Sequence, residues 1–142
     1  MIGARVAAQA LELLGPIDGP IVVDGCGTSL ASRVRAARDD EAPAAAICSF
    51  LGKTGDAVAR ARSLDAIAAR LAPGAPLVVV DHNQPRAWWP RLVAVLPLAL
   101  RGLGPSRARY PVAREVRDHG FTIERLRFGD GELVQLVLAR RR

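Results

Sequence analysis

A short β-branched run, Ile21-Val22-Val23-Asp24, leads directly into Gly25-Cys26-Gly27-Thr28. Glycines allow a backbone to approach a ligand closely, and a helix starting behind them offers free N–H groups to a carboxylate or phosphate. Asp24, Gly25, Cys26, Gly27 and Thr28 are therefore candidates for holding a small ligand. The same residues also suit an ordinary tight strand-to-helix turn. A second polar run, Asp81-His82-Asn83-Gln84, follows the apolar stretch Leu77–Val80. His82 is a candidate general base that Asp81 would orient, and Asn83 a candidate substrate ligand; the alternative is a polar loop in which Asp81 or Asn83 caps backbone groups. Gly52-Lys53-Thr54 has the ending of a phosphate-binding loop, but that motif requires a second glycine where Ile47 stands, so nucleotide hydrolysis is not expected. Lys53 remains a candidate anion ligand. A dinucleotide fingerprint fails too, because Leu30 takes the place of its last glycine. Cys26 and Cys48 end two apolar runs and have no histidine at metal-ligand spacing; they read either as packed thiols or as a pair that could bond under oxidation. Trp88 and Trp89, flanked by Arg86, Arg91 and Arg101, suit a lid over an apolar substrate, a partner surface or an interfacial membrane contact, or else a helix covering a sheet.

These residues must be positioned by alternating elements. The pattern predicts a helix over 3–14, a strand at 20–24, a helix over 29–39 opened by Ser29, and a strand at 44–50. A helix over 56–72 ends at Pro73-Gly74, and Leu77–Asp81 is the clearest buried strand. Residues 86–103 carry Pro90 and Pro97, which predict a kinked or broken helix. A helix over 111–119 starts at Pro111 and stops at Gly120, and the last stretch alternates about Asp130-Gly131, a hairpin signal. Strands and helices alternating before a terminal hairpin make an α/β sheet, parallel at first and antiparallel near its end.

The chain has 142 residues, half of them hydrophobic and only 4% aromatic, which fits one domain with a real core. The longest apolar run, Leu92–Leu100, contains Pro97 and falls far short of the roughly 20 residues of a membrane span. Arg5 and Glu12 interrupt the alanine-rich start, so no secretory signal is expected. Two cysteines are too few for a disulfide scaffold and point to a reducing cytoplasm. The net charge of +6 is uneven: residues 1–85 hold eight basic and nine acidic side chains, residues 86–142 twelve and five. The basic half suits an anionic partner, or simply a solvated arginine surface. An RNA-binding domain would want an aromatic stacking platform that this composition lacks.

Three segments in order, VVDGCGTS, RLAPGAPLVVVD and DHGFTIERLRFGDGELVQLVLARR, resemble the class I S-adenosylmethionine-dependent methyltransferases, and together they cover most of the chain. The resemblance implies a Rossmann-like sheet, mostly parallel, closed by a C-terminal antiparallel β-hairpin. It implies S-adenosylmethionine held by Asp24–Thr28 with Ser49 and Phe50, and methyl transfer to a small or apolar acceptor near Lys53, Asn83, Trp88 and Trp89. The chain also departs from the family pattern. Val23 stands where the acid before the first glycine belongs, and Ser29 replaces a glycine. Between Gly25 and Pro73-Gly74 there is room for one strand only, flanked by two helices, so the family's second and third strands are missing. The expected sheet has about five strands, ordered first, fourth, fifth, seventh, sixth in the family's sequence of strands. The acid that binds the ribose hydroxyls goes with the missing strand; Asp39, Asp40 and Glu41 end the predicted helix at about 15 Å from the glycine turn. The first strand becomes a sheet edge, which a homodimer or a partner subunit would cover. The alternative function is a non-catalytic methyltransferase-like binding or regulatory subunit.

Overall fold

The computed structural model describes residues 3–53, 56–83, 96, 112–129 and 132–142. Helix α1 spans Ala4–Leu14 and places Val6, Ala7, Ala10, Leu13 and Leu14 on one buried stripe. Gly15, at φ +78°, ends it by donating its N–H to Leu11. Strand β1 is Ile21–Asp24, followed by a single helical turn, α2, at Thr28–Ala31. Strand β2 is Ala45–Ser49, buried at every position. Helix α3, Ala57–Arg70, begins where the Asp56 carboxylate accepts the Ala59 N–H at 2.9 Å. Strand β3 is Pro76–His82, helix α4 is Val112–Asp118, and β4 (Phe121–Gly129) and β5 (Val134–Arg141) form the terminal hairpin.

The five strands make one sheet in the order β1-β2-β3-β5-β4, as the shortened sheet requires. β1, β2 and β3 are parallel, with Asp24 beside Cys48 and Cys48 beside Val79; β5 then enters antiparallel, with Val137 beside Val79. Alternating side chains divide the core in two. On one face α1 and Leu30 cover Ile47, Val78, Val80 and Leu136. On the other, α3 and α4 cover Cys48, Val79, Val137 and Phe121. Among the described residues no helix is long and apolar enough to cross a membrane. The segment with Trp88 and Trp89 and the hairpin tip at 130–131 lie outside the described residues.

The helix expected over 29–39 is corrected: only Thr28–Ala31 is helical. The chain then turns back, and residues 35–37 run beside the outer edge of β1, with a parallel bridge between Ile21 and Ala36. The Ile21 N–H donates to Arg35 at 2.8 Å and the Ala37 N–H donates to Ile21 at 2.9 Å. The cause is the edge itself. Backbone groups alternate along a strand, so Val22 and Asp24 face β2 while Ile21 and Val23 face outward. A buried Ile21 needs partners for both groups, and that requirement outweighs the modest helical preference of Val34–Ala37. No further strand joins this edge among the described residues, so the five-strand reading stands.

The half-covered edge sets an exchange pattern. In hydrogen–deuterium exchange followed by NMR, the Ile21 and Ala37 amides should be protected and the Val23 amide should exchange far faster. A Val23 amide as slow as Ile21 would mean that another chain covers the rest of the edge.

Candidate functional site

The carboxyl ends of β1, β2 and β3 lie along one side of the sheet, so Asp24–Thr28, Ser49–Lys53 and Asp81–Asn83 meet there, as expected for an open α/β sheet. Gly25 is fixed by its surroundings: its φ is +68°, and a Cβ on it would stand 2.4 Å from the Ser49 carbonyl oxygen. The turn is therefore packed directly onto β2, and only glycine fits. Gly27 is also left-handed, at φ +70°. Thr28 opens α2, but one helical turn has little macrodipole to offer an anion.

Cys26 is buried, and its thiol donates to the Asp24 carbonyl at 3.2 Å. Burial first, and the Asp24 charge second, push this thiol up to about 12; the same two causes push Cys48 up as well. Both are therefore neutral, packed thiols at ordinary pH.

The charged centre of this side is Asp24. Its carboxylate accepts the Lys53 ammonium at 2.7 Å and faces the Cys48 thiol at 3.6 Å. Lys53 also donates to the Ser63 hydroxyl of α3 at 2.5 Å. The tight turn after β2 places it there: Lys53 N–H donates to Phe50 and Asp56 N–H to Lys53. Burial raises the Asp24 carboxyl, but the hydrogen bonds of Lys53 and Ser63 and the charge of Lys53 outweigh it, and the net direction is below the ordinary value. Both side chains keep part of their surface in solvent, 33% for Asp24 and 27% for Lys53. The pair is thus reachable by a ligand.

A second charged cluster lies deeper and escaped the sequence analysis. Arg60 of α3 is fully buried, yet pairs with Asp81 at 2.7 Å and with Glu115 of α4 at 2.7 Å. Its Nε also faces both Glu115 oxygens, at 3.1 and 3.2 Å, and its guanidinium lies 4.2 Å over the Phe50 ring. Desolvation lowers its pKa, but the two carboxylates outweigh that and the net direction is upward. Removing one partner of such a buried pair costs about 3–5 kcal/mol. The signal was present: Arg60 stands on the same stripe as Leu64, Ile67 and Leu71, and Glu115 beside Val112 and Val116. A charge on an apolar stripe announces a buried pair.

This cluster bears on the expected dyad. One Asp81 oxygen is held by Arg60 and the other accepts the backbone N–H of His82 at 2.8 Å. Asp81 serves the α3–β3–α4 junction. The His82 carbonyl accepts from Gln135, and Asn83 donates its side-chain amide to the Glu132 carbonyl at 2.7 Å, which fastens β3 to the hairpin. Ser49 is buried with its hydroxyl accepting the Leu51 N–H at 3.4 Å, and Phe50 is buried beneath Arg60. Of the expected site residues, then, Asp24 and Lys53 pair at the strand ends beside the Gly25–Gly27 turn, while Cys26, Ser49 and Phe50 are buried and Asp81 is tied to Arg60.

The lowered pKa of Asp24 has a measurable consequence. Its contribution to stability is complete above the ordinary carboxylate range and is lost as the pH falls through its lower native pKa. Asp24→Asn should therefore flatten the acid limb of the unfolding free energy against pH, measured by urea denaturation at a series of pH values. An unchanged acid limb would show that the Asp24–Lys53 pair is not formed in solution.

No family model matches the sequence. No curated protein matches it either. Solved structures do match. A S-adenosylmethionine-dependent methyltransferase from Methanosarcina mazei aligns with a TM-score of 0.63 at 12% identity, over 92% of this chain and 95% of its own. The glycopeptide N-methyltransferase MtfA, solved with S-adenosyl-L-homocysteine, gives 0.66 at 15% identity, over all of this chain and 91% of its own. An O-methyltransferase family protein from Burkholderia thailandensis gives 0.61 at 16% identity, and the chain spans 57% of its length. Identities this low speak for fold alone. With five strands in the order β1-β2-β3-β5-β4 and a glycine turn after the first, the chain carries the fold of the class I S-adenosylmethionine-dependent methyltransferases in a shortened, Rossmann-like form.

Proposed function

We propose that the protein binds S-adenosylmethionine at the carboxyl ends of β1 and β2 and transfers its methyl group to a small or apolar acceptor. The observation that carries this reading is the half-exposed Asp24–Lys53 pair beside the left-handed Gly25 and Gly27, at the ligand-binding end of a methyltransferase-type sheet. The amino-acid end of the cofactor is a zwitterion, and the pair matches it charge for charge. Asp24 takes the ammonium, and Lys53, steadied by Ser63, takes the carboxylate. The nucleoside end is served less well. Asp39, Asp40 and Glu41 precede β2 and lie at the opposite end of the sheet, where Arg70 reaches Asp39 and the Arg38 carbonyl. Among the described residues of one chain no acid stands beside β1 for the ribose hydroxyls. A second copy or partner subunit set against the outward-facing Val23 would supply that half.

When bound, the cofactor provides an electrophilic methyl group on a sulfonium. The chain's own task is to hold donor and acceptor in line and exclude water, which can account for much of the rate of such a transfer. His82, at the end of β3, stands on the same side of the sheet and serves as base where the acceptor must lose a proton.

A second reading, a non-catalytic methyltransferase-like subunit, is favoured by one specific observation: both Asp81 oxygens are engaged in structural contacts, one with Arg60 and one with the His82 backbone N–H.

Calorimetric titration with S-adenosylhomocysteine, with the oligomeric state measured on the same sample, separates the two. The methyltransferase reading expects micromolar binding, weakened about tenfold in Lys53→Met by loss of one charge-assisted hydrogen bond. No binding at millimolar ligand would leave the non-catalytic subunit as the better account.

A further inference from the structure

At the other end of β1 lies a feature that the proposed function does not use. The last turn of α1, the approach to β1 and the returning segment 33–35 enclose an open cavity of about 400 Å³. Small-molecule sites run from roughly 300 to 1,000 Å³, so the size is adequate for a ligand of its own. Leu11, Leu14, Ile17, Ile21 and Val34 form its walls. Leu11, Ile17 and Val34 are only partly buried against the core, so the cavity exposes carbon that a tighter crossover would cover.

The rim has the opposite chemistry. Arg33 and Arg35 both line it. Arg35 is held by an ion pair with Glu41, which fixes its position beside the opening. Arg33 is exposed and makes no ion pair among the described residues. Asp18 lies on the turn between Ile17 and Gly19 but does not line the cavity. The balance at the mouth is therefore one committed and one uncommitted cation beside walls of mixed polar and apolar character.

We propose that this cavity is a second ligand site, for a small amphipathic carboxylate whose aliphatic body lies against Leu11, Leu14, Ile17, Ile21 and Val34 while its carboxylate meets Arg33. The apolar walls cover the aliphatic body, and the guanidinium fixes the orientation and selects for negative charge. The site is independent of the Asp24–Lys53 centre, which lies at the other end of the same strand.

Octanoate titrated into ¹⁵N-labelled protein tests this by amide shift mapping, with octanol and acetate as probes lacking the charge or the body. The expected result is saturable shifts confined to Leu11–Ile21 and Arg33–Arg35, with octanol weaker and acetate silent. Arg33→Gln should weaken octanoate about fivefold, as for an exposed ion pair. Val34→Trp, which fills the cavity, should abolish the shifts while the spectrum stays dispersed. Shifts that do not saturate, that fall on the exposed Leu126 and Phe128 instead, or that ignore both substitutions would overturn the proposal.

Discussion

The structure turns on the shortness of one connection. β1 and β2 are parallel neighbours, and only residues 25–44 join them. A parallel pair needs a crossover of a dozen residues or more, so this stretch can return the chain to the start of β2 and do little else. It leaves Asp24 by a glycine turn packed onto Ser49, makes one helical turn, and closes half of the β1 edge with residues 35–37. The acids at 39–41 consequently lie at the start of the parallel strands. One economy of chain thus accounts for the five-stranded sheet, the open position at Val23, the absence of a ribose acid among the described residues and the cavity beside Arg33.

Charge is arranged in two tiers at the carboxyl ends of the strands. The inner tier, Asp81–Arg60–Glu115, is closed to solvent and ties β3 to the helices on one face. The outer tier, Asp24–Lys53, is partly exposed and is steadied by neutral partners, Ser63 and Cys48. Buried pairs hold their geometry, because breaking them leaves an uncompensated charge, whereas partly solvated ones can exchange partners at modest cost. That difference suits the outer tier to the proposed ligand chemistry and the inner tier to holding the elements together.

Much of this was legible in the residues. IVVD, AAICS and LVVVD read as strands because fully buried parallel strands are continuous apolar runs. The terminal antiparallel pair was readable from the alternation after Gly120. The sheet order followed from a family resemblance together with a count of the available chain. What failed was local reasoning about residues whose partners are distant in sequence. Residues 33–37 look helical until the outward-facing groups of Ile21 are considered. Asp81 beside His82 suggests a dyad until Arg60, from another element, claims one of its oxygens and the His82 backbone N–H the other. Asn83, read either as a ligand group or as a residue bonding backbone, donates to the Glu132 carbonyl of the hairpin, a partner 49 positions away in sequence.

The central claim is that one chain provides the amino-acid half of a cofactor pocket and not the nucleoside half. Comparing the affinities of S-adenosylhomocysteine and 5′-methylthioadenosine, which lacks the amino-acid group, for the monomeric protein tests it most directly. The account predicts that removing the amino-acid group abolishes measurable binding. Equal affinity for the two would contradict it, because the nucleoside would then be the part that is recognised and Asp24–Lys53 would be a structural ion pair.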